Sequence, residues 1–286
     1  MQMTNAVQKN RYRSWLLVCL LGICACMPLK AGADDHTYEG PGWDTPEDAV
    51  TYYLEGMKEQ DIGKMIGAYA VETYIDHFNF GAQLARIGVY SMSEVPRMPN
   101  AGNLLRSINI EARKHEIAQS ILLQLSSICL PWLDFSAPIS LWSESGEKAN
   151  AFVEELESAF GAVNLHTLVV MGFVPPEMIS KHYGSEANRN NMLAQYAPAG
   201  ADDARSVVAA FVFDDKVGIL CCDAIRYEDR WFMSKAQGNI GLLLNFSQLT
   251  GGMVAFPKDD VVNIIGDALG ADVQEIVDEF LSGLLE

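Results

Sequence analysis

Residues 206–234 constrain the fold more than any other part of the chain. Three apolar runs occur here: "SVVAAFVF" (206–213), "VGILCCDAIRY" (217–227) and "RWFMS" (230–234). Asp214-Asp215 and Glu228-Asp229 separate them. Joints that short predict hairpin turns and a three-strand meander. Neither is the Asn-Gly or Asp-Gly pair that hairpins favour. With two residues in each turn, register follows by counting. Trp231 then shares a face with Met233, Ala224, Cys222, Leu220, Phe211 and Phe213. Phe232, Ile225, Cys221, Ile219, Val212 and Val208 take the other. Both faces are apolar, whereas a sheet wet on one side alternates. Something must cover each face.

Helices are the available cover. Thr45 reads as an N-cap, with Pro46 at the first helical position and Glu47 and Asp48 at the positive end of the helix dipole. Ala49, Val50, Tyr53, Leu54 and Met57 then repeat at helical spacing. Asp61 caps a second short helix carrying Met65, Ile66, Ala68 and Tyr69. Residues 77–129 read as mostly helical, broken by "VPRMPN" at 95–100, with Ile117, Ile121, Leu125 and Ile128 as a buried stripe. A further helix is expected near 147–160. "VNLHTLVVMGF" (163–173) reads as a strand containing His166, and "NRNNMLAQYA" as a short helix. "GNIGLLLNFSQL", "KDDVVNIIGDALG" and the tail after Asp272 read as helices. The expected class is α+β: a curved, mainly antiparallel sheet with helices packed on it.

The front of the chain has the grammar of an export signal. Lys9, Arg11 and Arg13 precede an uncharged apolar run from Trp15 to Met27, and Ala31-Gly32-Ala33 offers small residues for a peptidase. The run is shorter than the roughly 20 residues of a spanning helix. Cleavage is expected before Asp34. Lipid attachment at Cys26, or retention as an uncleaved anchor, are the alternatives. Each places the remainder outside the cytoplasm, as a secreted or cell-envelope protein without a membrane span in the mature part. Residues 34–44 read as a flexible lead-in. Residues 45–286 read as one α+β domain, with a helical insertion at about 77–160 and C-terminal helices at about 238–286.

Charge narrows the partners. The whole chain carries a formal −17, and the first 33 residues hold four basic groups and no acid, so the remainder sits at −21. A surface that acidic repels phosphate backbones, which argues against nucleic acid. The mature cysteines are Cys129, Cys221 and Cys222. They have neither framework nor zinc spacing. Neighbours in a strand point to opposite faces, so Cys221 and Cys222 read as buried thiols. A bridge from Cys129 to one of them is the alternative.

"TPEDAVTYYLEGMKEQDIGKMIGAYA" resembles the opening helix pair of NTF2-like (cystatin-like, cone-shaped) α+β domains. "DAIRYEDRWFMS" resembles their closing hairpin, with its Trp just after the turn. The resemblance implies a sheet curled around a pocket. Residues 77–160 and 238–286 have no counterpart in the minimal fold and would be helical elaborations. Many exported proteins with such domains have no assigned function; some members are isomerases, cyclases or dehydratases. Their chemistry uses an Asp or His in the cone with a Tyr partner. No residue here matches a family catalytic motif.

Tyr69, Tyr74, His166 and Trp231 are the candidate pocket lining, and Asp223 is the candidate acid or base beside His166. The bland reading of His166 is a core histidine bonded to backbone. For Asp223 it is a salt bridge to a neighbour such as Arg226, and for Trp231 it is plain core payload. Gly-x-Ser-x-Gly, His-Glu-x-x-His and Walker spacings are absent, and the five histidines have no metal-ligand spacing. No cofactor or metal is expected. The chain therefore reads as a non-catalytic module that binds a small molecule or an envelope protein. The alternative is an isomerase- or cyclase-type enzyme using His166 or Asp223.

Overall fold

Helix α1 (Pro46–Glu59) starts where its cap demands. The Thr45 side chain accepts the Asp48 N–H at 3.1 Å, and Ala49, Val50, Tyr53, Leu54 and Met57 are all buried. Asp61 caps α2 (Ile62–Gly67) by accepting the Lys64 N–H at 3.0 Å. The computed structural model describes residues 37–87, 104–129, 154, 157–159, 161–174, 186–235 and 251–258. Within these, α3 (Glu72–Asp76), α4 (Phe80–Ile87) and the 26-residue α5 (Leu104–Cys129) follow α2. Strand β1 (Val169–Phe173) and α6 (Glu186–Tyr196) precede β2 (Asp203–Phe213), β3 (Lys216–Tyr227) and β4 (Arg230–Lys235). A last strand, β5, covers Met253–Pro257.

The sheet is antiparallel throughout. Its order is β1-β2-β3-β4, and β5 also pairs with β3. Both turns of the meander hold two residues, and register follows: Val207 faces Cys222, Phe211 faces Gly218, and Arg226 faces Trp231. Asp214 and Glu228, each first in its turn, adopt φ of 49° and 54°. Left-handed backbone is costly for a Glu. Asp202 offsets the cost at the second turn: its side chain accepts the Glu228 N–H at 2.7 Å, and its own N–H donates to the Arg226 carbonyl at 2.9 Å.

Both faces are covered. On the first, α1 and the Ile110, Ile117, Ile121 and Ile128 stripe of α5 meet Val207, Ala209, Phe211, Phe213, Leu220, Cys222, Ala224, Trp231 and Met233. On the second, Met192 of α6 and Ala199 pack with Ile225, Tyr227 and Phe232. A smaller cluster there joins Val208, Ile219 and Cys221, with Val174, Val254 and Phe256 against it. From Val217 to Ile225 every residue of β3 is buried. Burying each large side chain contributes roughly 1.5–3 kcal/mol.

One edge of β3 is shared by two strands in succession. β5 pairs with Lys216–Leu220 and β4 with Asp223–Tyr227. At the changeover the Cys221 N–H donates to the Gly252 carbonyl at 2.7 Å. A β-bulge in the β3–β4 pairing falls beside it, between Asp223 and Ala224.

Three expectations need correcting. Strand β1 starts at Val169, and residues 165–167 form a 3₁₀ turn instead. The cause is Asp214, which accepts the Asn164 N–H at 3.1 Å and donates its own N–H to Thr167 Oγ1 at 2.9 Å. Residues 37–44 are tied down rather than loose. The Gly40 N–H meets the Gly67 carbonyl at 2.8 Å, and Trp43 exchanges both backbone bonds with Trp231. The region read as C-terminal helices contains a strand, β5. The loop at 95–100, the bulk of the helix near 147–160, and the expected helices at 238–249 and from 259 onward lie outside the described residues.

Gly218 shows how tightly the first face is filled. A Cβ added there would lie 2.2 Å from the Phe211 ring, which is itself fully buried. Gly218→Ala is expected to lower stability by about 1–3 kcal/mol, measured by urea denaturation with the slope unchanged; a neutral result would mean the ring is free to shift.

Candidate functional site

The strand that carries the core also carries a buried carboxylate. Asp223 sits in β3 directly opposite Ser206 of β2, so the two side chains share the second face of the sheet. Asp223 is 1% exposed and Ser206 3%. The Ser206 hydroxyl donates to Asp223 Oδ1. Tyr196, the last residue of α6, donates its hydroxyl to Oδ2 at 2.7 Å. Met192, one turn earlier on α6, places its sulfur 3.6 Å from Ser206 Oγ. Burial, and then the Asp223 charge, push the Tyr196 phenol well above its ordinary range, so it stays a donor at neutral pH. A buried carboxylate needs such donors. Here they also dock α6 onto the sheet.

The four candidate lining residues do not converge on one point. Tyr69 is buried in the core of the first face, edge-on to Tyr53 at 5.9 Å between ring centroids. Burial pushes its phenol up, opposed only in part by Gln124 and Arg113, and no partner of proper geometry meets its hydroxyl. Tyr53 instead holds Gln124, donating to Oε1. Trp231 is buried on the same face. Tyr74 is half-buried between the two main clusters, with the Arg113 guanidinium 4.4 Å from its ring centroid. His166 is exposed on the 3₁₀ turn. It is neither a core histidine nor a neighbour of Asp223 on the sheet.

The Asp-with-Tyr pairing read from the sequence does exist, with a different tyrosine. Tyr196 reaches Asp223; Tyr69 packs on the opposite face. The sequence held the signal, since "NNMLAQYA" reads as a short helix ending in a tyrosine. Nothing local shows that this helix crosses β2 and β3. Ser206 was legible from register alone, because residues directly opposite share a face. Asp223 does not rely on Arg226, whose side chain belongs to the Trp231 face.

Cys221 and Cys222 are free, buried thiols on opposite faces of β3. Burial, and then the Asp223 charge, hold both thiols far above the usual range. Among the described residues, no group of three or more His, Cys, Asp or Glu side chains could hold a metal ion, and no helix is long and apolar enough to cross a membrane.

Comparison with known proteins adds one likeness. No family model matches the chain, and no curated protein matches it. One solved structure, titled a cystatin-like protein from Ruminococcus gnavus ATCC 29149, aligns over 66% of this chain and 39% of its own. The identity is 13% and the TM-score 0.36. The chain thus spans well under half the length of that structure.

The thiols give a pH test with a definite sign. An unfolded thiol ionises near pH 8.5, whereas the folded ones stay protonated well above it. Above that pH the unfolded state binds fewer protons, so stability is level below about 8.5 and falls as pH rises, by about 1.4 kcal/mol per unit per group. Urea midpoints at pH 7, 8, 9 and 10 are expected to be constant over the first two and to drop over the last two. A midpoint unchanged at pH 10 would show that the thiols titrate normally.

Proposed function

We propose that the chain is an exported, non-catalytic module of NTF2-like type that binds a small molecule or an envelope partner. The observation that carries this reading is the state of Asp223. It is a carboxylate buried among the central strands, and both of its oxygens accept from hydroxyls of the protein itself. A general base must come within hydrogen-bond reach of its substrate, and Asp223 is 1% exposed. Asp223 is instead spent on holding α6.

Three further features support the reading. The first face is filled by Tyr53, Tyr69, Phe211 and Phe213, all under 2% exposed. His166 stands at the surface, away from Asp223. The capped helix pair at Pro46–Gly67 packs on the antiparallel meander that ends in the Trp231 hairpin. Export rests on residues 1–33, whose charge, apolar run and small residues form a secretory signal. The finding that would reverse the functional reading is turnover that depends on Asp223.

The experiment uses the protein purified in its exported form, whose mass should correspond to a start at Asp34. Thermal unfolding is followed against a panel of carboxylates, phosphates, sugars and acyl compounds. At least one class is expected to raise the midpoint and to be recovered chemically unchanged, because ligand binding to the native state alone stabilises it. The Asp223→Asn variant is expected to bind that ligand as the wild type does. Conversion of the ligand, lost in Asp223→Asn, would establish the enzymatic reading instead.

A further inference from the structure

Two arginines meet over Trp231, and the one acid near them, Asp203, makes only a long ion pair with Arg205. Arg205 of β2 lies opposite Ala224, and Arg226 of β3 opposite Asp203, so the two are diagonal neighbours on the first face of the sheet. Their guanidinium carbons lie 5.1 Å and 5.6 Å from the Trp231 ring centroid. Like charges so placed across strands repel. An opposite charge would be expected between them, and Asp203 is the obvious one. Yet Asp203 is taken: Oδ1 accepts the Ala204 N–H, and Oδ2 pairs with Arg189 at 2.9 Å. It reaches Arg205 only at 3.9 Å. Arg226 has no carboxylate within ion-pair distance among the described residues, and its buried Nε has no acceptor.

The contrast with the rest of the chain is chemical. Acids outnumber bases 37 to 20, and other cations find partners readily. Arg106 is forked onto Asp76 at 2.7 and 2.8 Å, Lys64 joins two glutamates, and nearby Arg230 takes Asp44 at 2.5 Å. Among the described residues Arg226 has no acid at ion-pair distance, although acids outnumber bases in the chain. Indole stacking keeps its planar fork oriented, and pre-organisation of that kind lowers the cost of binding a planar or tetrahedral oxyanion. Arg226 is only partly buried, and the Arg205 side chain is about half exposed. An anion can therefore approach from the Arg205 side and bridge the two forks.

We infer that Arg205 and Arg226, held on the Trp231 ring, form a binding site for the oxyanion group of a small ligand, a carboxylate or a phosphate. This rests on the binding-module reading and names the chemistry its ligand presents. The strongly acidic remainder of the surface then acts as a filter: it disfavours polyanions and leaves compact ligands with one anionic group.

The test titrates the exported form with inorganic phosphate and, separately, with acetate, at constant ionic strength made up with chloride. The Arg Nε–H and Trp indole signals are followed by nitrogen-15 NMR. The Arg226 Nε–H and the Trp231 indole are expected to shift saturably. Affinity should fall about tenfold or more in R205Q and R226Q, the loss typical of removing one charge-assisted hydrogen bond, and be unchanged in R230Q. Saturation by acetate assigns a carboxylate ligand, and saturation by phosphate alone a phosphoryl one. If R226Q fails to fold, R226K keeps the charge without the fork and should still weaken binding. Linear shifts with both anions, or equal affinity in the variants, would overturn the site. A ligand from the thermal screen that leaves the Arg226 signal unmoved would overturn this site too, while the module reading stands.

Discussion

The fold depends on one constraint: β3 is a strand with no wet face. Val217 to Ile225 are buried without a break, so every backbone group there must be paired by neighbouring strands and every side chain covered. β2 satisfies one edge over its full length. No single strand satisfies the other, and β4 and β5 divide it at Cys221 and Cys222. α6 and the turn after it close the second face over Ile225, Tyr227 and Phe232, and α1 and α5 close the first. The remaining architecture follows from protecting one twelve-residue strand.

The polar groups buried near that strand work as fasteners. Asp223 draws the hydroxyl ends of Ser206 and Tyr196 together, which fixes α6. On the other face Gln124 and Ser127 of α5 reach Tyr53 and the carbonyls of Gly251 and Met253. That ties the long helix both to α1 and to the start of β5. Each bond satisfies a group that would otherwise cost about 1–3 kcal/mol if left unpaired in the interior. Position on the sheet separates this use of polar residues from the arginine pair at Trp231. The fasteners lie inside and are satisfied, whereas Arg205 is half exposed and the Arg226 Nε has no acceptor.

Much of this was legible in the sequence wherever the signal is local. Thr45, Pro46 and Asp61 announced both helix starts. Apolar runs and two-residue joints across residues 206–234 marked the strands and turns, and a period of two then fixes which side chains share a face. What failed was non-local. Residues 163–168 have strand composition, but Asp214 from a distant turn captures Thr167 and bends them into a 3₁₀ turn, exposing His166. Between the two helices expected from the sequence, the open edge of β3 makes Met253–Pro257 a strand. The partner of Asp223 was missed for the same reason, since nothing near Tyr196 says which strand its helix will cross.

On this architecture β3 can open only when both layers leave it together. Native-state amide hydrogen exchange measures this directly. The amides of Val217 to Ile225 are expected to exchange solely through global unfolding, with free energies equal to that from denaturation and the same dependence on urea. Faster, urea-independent exchange at those amides, while α1 stays protected, would show that β3 opens by itself and is not held by both layers.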